Sequence, residues 1–151
     1  MHDFIDGKKV DVAFSFSRHT LKLCHRALAL AEEFGMMHLI FPKPSRILIN
    51  PAQDILLFNR KLEENQEQLE AVRSIISGTS KPAPYIVFGP PGTGKTVTVV
   101  EAIKQIYKRE PNSRILVAAP SNAACDNITG RLLEHISRRH VFRMHSKSRE
   151  M

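Results

Sequence analysis

The segment GPPGTGKT, from Gly89 to Thr96, has the residue types and spacing that grip a nucleoside triphosphate. Its glycines permit backbone angles closed to most other residues, so that N–H groups can converge on phosphate oxygens. Lys95 is placed to reach the β- and γ-phosphates and the Thr96 hydroxyl to bind Mg²⁺, so both are candidate catalytic residues. The pattern predicts a phosphate-binding loop (P-loop) for ATP and Mg²⁺, with candidate contacts from Gly89, Pro90, Pro91, Gly92, Thr93, Gly94, Lys95, Thr96 and Val97.

The elements on either side of this loop must hold it in place. The run from Tyr85 to Phe88 is short and apolar, typical of a fully buried strand, and an amphipathic helix is predicted after Thr96. This context distinguishes a P-loop from a chance glycine turn. Ile115 to Ala119 predicts a second buried strand, Ala124 to Ile136 a further helix, and His140 to Met144 the start of a third strand. The alternation predicts an α/β fold with a parallel sheet.

The residues before the loop predict a small strand-plus-helix segment. Val10 to Phe16 alternates apolar and polar residues, typical of a half-buried strand, and a helix ended by Gly35 follows. Because the apolar residues of this helix form more than one stripe, we expect much of its surface to be covered. The proline-containing stretch from Pro42 to Pro51 predicts a connector. A second helix, from Leu69 to Gly78, then leads towards the loop.

Composition and charge narrow the class of partner. The 151 residues carry a formal net charge of +7, from 22 Lys and Arg against 15 Asp and Glu. Such a surplus favours a polyanion such as nucleic acid, although a basic surface without a specific partner explains it equally well. No run of about 18 apolar residues occurs, so no membrane partner is expected. Cys24 and Cys125 lie far apart without metal-ligand spacing, which favours a reducing cytosolic or nuclear setting.

Two further motifs flank the loop and carry a family resemblance. Asn65-x-x-Gln68 lies upstream, and APSNAACD, from Ala119 to Asp126, follows the second predicted strand. Together with GPPGTGKT, they resemble the motifs of superfamily 1 helicases of the up-frameshift type. From Pro82 to Arg131 the chain is most similar to the Armitage branch, the Mov-ten-like RNA helicases of small-RNA silencing. VAFSFSRHTLKLCHRAL, near the N-terminus, resembles the region that precedes the helicase core in that branch.

The resemblance implies a fold and roles for individual residues. Gln68 would hydrogen-bond the adenine edge, and Ser121 and Asn122 would contact the RNA backbone. Their expected place is physically reasonable, because ligands of open α/β sheets bind beyond the carboxyl ends of the strands. The implied fold is a partial RecA-like sheet of the P-loop NTPase type. Residues 1–58 would be the end of an accessory region with its connector, and residues 59–151 an incomplete first RecA-like domain.

For the parent protein, the resemblance implies an ATP-dependent RNA helicase. It would work 5′ to 3′, unwinding or remodelling RNA and ribonucleoproteins in RNA-mediated gene silencing. The implied partners are single-stranded RNA, or an RNA duplex with an overhang, and proteins of silencing ribonucleoproteins. The implied location is the cytoplasm, including ribonucleoprotein granules such as P-bodies.

Several of these residues also have purely structural explanations. Asn65 and Gln68 fit a capping box, in which both side chains serve the start of a helix, and both roles can hold together. Ser121 and Asn122 are good N-cap residues, and Asp126 fits a first-turn acid favoured by the helix dipole. The basic residues of the tail are predicted to form a solvated face more readily than an RNA-binding stripe: Arg138, Arg139, Arg143, Lys147 and Arg149.

ATP hydrolysis requires an acidic residue on another strand, which holds Mg²⁺ and positions water. The sequence contains no apolar strand followed by an Asp-Glu pair. We therefore interpret the chain as a fragment or truncated isoform of a longer helicase, and expect it to bind nucleotide weakly without turnover. Two alternatives remain open: an AAA+ ATPase that acts on proteins, since GPPGTGKT also occurs there, or a non-catalytic isoform that binds nucleotide and RNA.

Overall fold

The computed structural model describes residues 7, 9, 18–43, 51 and 55–145 of the chain. Its regular elements in these ranges are helical. They are α1 (His19–Glu33), α2 (Met37–Ile40), a 3₁₀ turn (Arg60–Glu64), α3 (Gln66–Ser77), α4 (Lys95–Arg109), α5 (Asn122–Leu133) and a second 3₁₀ turn (Arg138–His140). The P-loop therefore connects α3 to α4 through residues 78–94. The helices predicted on both sides of the loop are confirmed.

None of the three apolar runs predicted as strands forms a strand in the described ranges, and His140 of the third run lies in the second 3₁₀ turn. Phe88 is 94% exposed and Leu116 is 95% exposed, so the prediction that the first two of these runs are buried strands is wrong. A strand is stabilised by its ladder of bonds to a neighbouring backbone, and an apolar run indicates burial only where such a neighbour pairs with it. The parallel sheet of the predicted α/β fold is thus not confirmed by the described residues.

Helix α3 begins at the cap that the capping box predicts, before the apolar pattern starts at Leu69, and it ends at the predicted glycine. The Asn65 side chain accepts a hydrogen bond from Gln68 N at 3.1 Å, which makes Asn65 the N-cap. Gly78 ends the helix in the left-handed conformation, with φ 65°. The other half of the predicted capping box differs. The Gln68 side chain donates to Thr93 O at 2.9 Å, while Asn65 N donates to Leu62 O.

An apolar cluster joins α3 and α4. Leu57, Leu62, Leu69 and Val72 are buried together, and Leu62 is only 2% exposed. Val97, in the first turn of α4, packs against the same cluster. Because full burial of such a side chain contributes about 2 kcal/mol, this cluster fixes the start of α4 relative to α3. The end of the P-loop is fixed with it.

Two buried polar side chains of α4 bind the backbone of the segment before the first 3₁₀ turn. Glu101, 2% exposed, accepts hydrogen bonds from Phe58 N at 2.9 Å and Asn59 N at 3.1 Å. Gln105 donates to Leu56 O at 2.8 Å and to Glu101 Oε1 at 2.9 Å. A buried carboxylate is tolerated only with such partners. We call this arrangement the Glu101 clamp; it holds residues 56–59 against the side of α4.

Helix α5 packs against α4 through a second, smaller cluster. Its buried members are Val100, Leu132 and Ile136. Half-buried neighbours complete this cluster: Ile103, Tyr107, Ile128 and Val141. Residues after the second 3₁₀ turn are therefore held close to α5, although they form no strand in the described structure.

Helix α1 lies where it is predicted, with Gly35 (φ 64°) just beyond its end. Its surface differs from the prediction, because Ala31 is its buried residue and its leucines are exposed. Apolar stripes show what a helix can bury, not that a partner covers it. The predicted strand from Val10 to Phe16 and most of the connector from Pro42 to Pro51 lie outside the described residues. None of the described helices has the length and apolar character needed to cross a membrane.

Candidate nucleotide site and the loop before helix α5

The P-loop has the backbone conformation that its glycines predict. Gly92 has φ 83° and Gly94 has φ 81°, a region that residues with a side chain rarely adopt. Helix α4 begins directly afterwards, and no side chain caps its N-terminus. The first N–H groups of a helix form the positive end of its dipole, which attracts phosphate. Loop and helix together thus offer backbone donors to an anion.

The Lys95 ammonium group lies on the loop itself. Its Nζ atom donates to Gly89 O and to Pro90 O, each at 2.7 Å. The Thr93 hydroxyl donates to Pro90 O at 2.8 Å, so the outer part of the loop is closed by side-chain bonds. Lys95 therefore brings a positive charge to the loop, as the motif predicts.

Gln68 lies directly against the P-loop. Its Nε2 atom donates to Thr93 O at 2.9 Å. The approach is so close that a Cβ atom at Gly94 would collide with the same Nε2 atom. The N-cap bond from Asn65 fixes the first turn of α3, and this turn carries Gln68. The structure thus brings together two motifs that are about 25 positions apart.

The other predicted contacts differ in accessibility. Pro90, Pro91 and Thr96 are exposed, so the Thr96 hydroxyl in the first turn of α4 is accessible to a metal ion. The Val97 side chain packs into the cluster of α3 and α4, which leaves its backbone N–H for a nucleotide. An accessible hydroxyl, an ammonium group and convergent N–H groups fit a triphosphate with Mg²⁺.

Ser121 and Asn122 lie at the start of α5, on a different element from the P-loop. Ala124 N donates to Ser121 Oγ at 3.2 Å, so Ser121 is the N-cap of α5. The capping role predicted for Ser121 is therefore confirmed. Asn122 accepts two hydrogen bonds from Arg143 Nη2, through its O atom at 3.1 Å and its Oδ1 atom at 3.2 Å.

Arg143 is the site residue that the sequence prediction misplaced. Its side chain is 17% exposed and its Nε atom donates to Asp126 Oδ1 at 2.9 Å. The prediction that it belongs to a solvated face is wrong. Asp126 is not the predicted first-turn acid, because it lies beyond the first turn of α5, and it forms this ion pair instead. Asn122 and Asp126 are four positions apart and share a helix face, which signals a common partner but does not identify which arginine of the tail it is.

Comparison with known proteins places this geometry in a family. A model of the family described as AAA domain matches residues 63–151. The Danio rerio protein mov-10-B.1, which bears a helicase name, is 48% identical over 150 residues, covering 97% of this chain and 15% of its own. The RNA helicase Mov10l1 of Mus musculus is 56% identical over 88 residues, 58% of this chain and 7% of its own. The ATP-dependent helicase upf1 of Schizosaccharomyces pombe is 42% identical over 91 residues, 57% of this chain and 9% of its own.

No solved structure matches the chain. The chain spans 15% of the length of mov-10-B.1 and smaller shares of the other two relatives. All three relatives carry helicase names, so the AAA description of the family does not favour the alternative of an ATPase acting on proteins. The chain belongs to the AAA domain family, and its resemblance to up-frameshift-type and Mov-ten-like helicases is confirmed.

Proposed function

We propose that the protein acts as an ATP-dependent RNA helicase. The observation that carries the proposal is the direct contact between the Gln68 side chain and the P-loop. Its Nε2 atom lies 2.9 Å from Thr93 O, beside a loop where Lys95 Nζ lies 2.7 Å from Gly89 O. A side chain able to read a base edge thus stands next to groups able to hold phosphates. Such an arrangement suits a purine nucleoside triphosphate better than a phosphorylated ligand without a base.

Each residue of the nucleotide site has a distinct role in the proposal. Lys95 exchanges its bonds to loop carbonyls for bonds to phosphate oxygens, and Thr96 holds Mg²⁺. Gln68 hydrogen-bonds the adenine edge. Bound ATP with Mg²⁺ supplies the free energy of phosphoryl transfer, and the chain's own residues bind and orient it.

RNA contacts are assigned to the loop before α5. A hydroxyl and an amide, from Ser121 and Asn122, suit contacts to phosphate and sugar that do not depend on base sequence. The net charge of +7 supports a polyanionic ligand. The choice of RNA rests on the resemblance to Mov-ten-like helicases and on the name of Mov10l1.

The finer parts of the proposal rest on the same resemblance. They are 5′ to 3′ polarity on single-stranded RNA or a duplex with an overhang, and remodelling of ribonucleoproteins in RNA-mediated gene silencing. They also include silencing ribonucleoprotein proteins as partners and a cytoplasmic location in ribonucleoprotein granules.

The nucleotide assignment is tested by titrating the 151-residue chain with fluorescent ATP and GTP analogues. Lys95→Ala should weaken ATP binding at least about tenfold, because a charge-assisted bond contributes about 1.5–3 kcal/mol. Gln68→Ala should weaken ATP binding and leave GTP binding unchanged. Arg109→Ala, at the exposed end of α4, is the matched control for removal of a positive charge. Unchanged ATP affinity in Lys95→Ala would overturn the assignment.

The reaction and the polyanion are tested separately. Binding of single-stranded RNA across a salt series should show a steep slope, since phosphate contacts release counterions. An ATPase that acts on proteins predicts no RNA binding at all. A steady-state ATPase assay addresses the non-catalytic alternative, and turnover that Lys95→Ala abolishes would contradict our expectation that this chain alone does not hydrolyse ATP.

A further inference from the structure

We propose that Arg143 is a positioning residue for RNA binding: it orients the Asn122 amide and does not itself bind RNA. The inference rests on the proposed function, since it assigns a role within the RNA contact at the start of α5. It is drawn from the bonds of one guanidinium group to Asn122, Asp126 and Met144. Among the described arginines, Arg143 is the one that bonds to both Asn122 and Asp126.

Each of the three nitrogens of the Arg143 guanidinium group donates to an acceptor of the protein. Nε donates to Asp126 Oδ1 at 2.9 Å, Nη2 donates to Asn122 O at 3.1 Å and to Asn122 Oδ1 at 3.2 Å, and Nη1 donates to Met144 O. The planar fork of arginine can serve several acceptors in fixed directions, whereas a lysine ammonium is a single point charge. The arrangement therefore requires arginine and not merely a positive charge.

The bond to Oδ1 sets the direction of the Asn122 amide. The oxygen and nitrogen of a primary amide are two substituents of the same trigonal carbon, one an acceptor and the other a donor, and arginine can only donate. Asn122 therefore turns Oδ1 towards Arg143 and Nδ2 away from the guanidinium group. Nδ2 is a donor, and donors suit the phosphate and sugar oxygens that sequence-independent binding uses. Arg143 thus orients Asn122 so that it offers RNA its amide donor and not its amide acceptor.

The charge balance argues against a direct phosphate contact by Arg143. Asp126 neutralises its charge in an ion pair whose arginine side chain is 17% exposed. All three of its nitrogens already donate to acceptors of the protein, so a phosphate would compete with these bonds. Arg138 and Arg139 lie exposed in the preceding 3₁₀ turn and carry no such restraint. The role of Arg143 is accordingly geometric.

The first test compares Arg143→Lys with Arg138→Lys in the 151-residue chain, using fluorescence anisotropy with labelled oligouridylate. Both changes keep the charge and replace a guanidinium group by an ammonium group. Only at Arg143 does this replacement remove the bonds to Asn122 and Asp126. Arg143→Lys should weaken RNA binding about tenfold, with the salt slope and the ATP affinity unchanged, because the phosphate contacts themselves remain. Arg138→Lys should match the wild type. Wild-type affinity in Arg143→Lys would overturn the inference.

The second test uses the sign of an effect. Asp126→Ala removes a negative charge next to the RNA-contacting loop, and charge alone predicts tighter RNA binding at low salt. The positioning role predicts the opposite, a loss of about threefold to tenfold, because Arg143 loses the acceptor of its Nε atom. Tighter binding by Asp126→Ala would overturn the inference. A thermal unfolding curve checks that the variant is folded, and ATP affinity serves as the second check.

The third test asks whether the effect of Arg143 passes through Asn122. Asn122→Ala should cost about as much RNA affinity as Arg143→Lys, and the double variant should lose no more than Asn122→Ala alone. Additive losses would show that Arg143 acts independently, against the inference. If the wild-type chain does not bind oligouridylate at low salt, the proposed RNA function is wrong. The inference is then wrong as well, because it rests on that function. If the wild-type chain binds oligouridylate and Arg143→Lys binds it with the same affinity, the inference is wrong and the proposed RNA function stands.

Discussion

Residues 55–109 and residues 110–145 each carry one of the two proposed binding loops, and different kinds of contact hold the two loops. Behind the P-loop lie the cluster around Leu62 and the Glu101 clamp, which are buried. The loop before α5 is held mainly by polar contacts, from the Ser121 cap and the half-buried guanidinium of Arg143. Buried contacts thus fix the first loop, and a cap and a half-buried ion pair fix the second.

This difference separates stability from function. Buried contacts contribute to both, because removing them leaves cavities or unpaired polar groups in the interior. Surface contacts such as caps contribute about 1 kcal/mol each. We therefore expect changes in residues 55–109 to alter stability and nucleotide binding together. Changes in residues 110–145 should alter RNA binding with a smaller loss of stability.

The largest effect is expected for Glu101→Ala. It removes the acceptor of the half-buried Phe58 N and Asn59 N and one of the two acceptors of Gln105 Nε2. A buried donor left without its partner costs about 1–3 kcal/mol. We expect the free energy of unfolding to fall by about 4 kcal/mol in urea titration. Glu110→Ala, an exposed glutamate at the end of α4, is the control and should change it by less than about 0.5 kcal/mol. Equal effects would contradict the clamp.

The second prediction compares one leucine from each cluster. Leu62→Ala should cost about 3 kcal/mol, and Leu132→Ala, from the smaller cluster of α5, about 2 kcal/mol. Only Leu62→Ala should also weaken ATP binding, because Val97 at the start of α4 packs on the same cluster. Urea titration and ATP titration of both variants check this. Equal loss of ATP affinity in the two variants would remove the distinction between the two regions.

A smaller effect is expected at the N-cap of α5. Ser121→Ala removes the acceptor of Ala124 N and should lower the free energy of unfolding by about 1 kcal/mol. Ser121→Thr keeps the hydroxyl and should retain most of that stability. Thermal unfolding measures both. If Ser121→Ala instead lowers ATP affinity with no change in stability, the cap is not the role of this residue.

The smallest expected effect is a gain in the free energy of unfolding, where the changes above cause a loss. Gly130 lies inside α5, its φ is not positive, and a Cβ atom there would meet no atom within 4 Å. Gly130→Ala should therefore stabilise the chain by about 0.7 kcal/mol. Gly94→Ala is the counterpart in the other region and should destabilise it, because Gly94 has φ 81° and faces Gln68 Nε2. Urea titrations of the two variants measure the expected rise in the free energy of unfolding for Gly130→Ala and the expected fall for Gly94→Ala.

The local features of the chain could be predicted from the sequence, because neighbouring residues decide them. Asn65 and Gly78 mark the ends of α3, Ser121 caps α5, and the glycines of the P-loop have the expected positive φ angles. The predicted helices are observed for the same reason. A periodic pattern and a cap act within a few residues.

The contacts between distant positions could not be predicted. Glu101 binds backbone groups 42 and 43 positions away, and Arg143 reaches Asn122 over 21 positions. Nothing in their local sequence distinguishes Glu101 from an exposed glutamate or Arg143 from the other basic residues of the tail. The strands predicted for the apolar runs ending at Phe88 and Ala119 are not observed for a related reason. Strand pairing depends on a partner that the run itself does not specify.

The bonds of Lys95 to Gly89 O and Pro90 O have a consequence for which anions the loop admits. An incoming anion must replace both carbonyl oxygens as acceptors of the same ammonium group. Inorganic phosphate or a monophosphate brings few oxygens beyond those needed for the exchange. A triphosphate brings more, and its additional oxygens can also engage the N–H groups at the start of α4. The closed loop therefore favours long polyphosphate chains over short ones before any base is recognised.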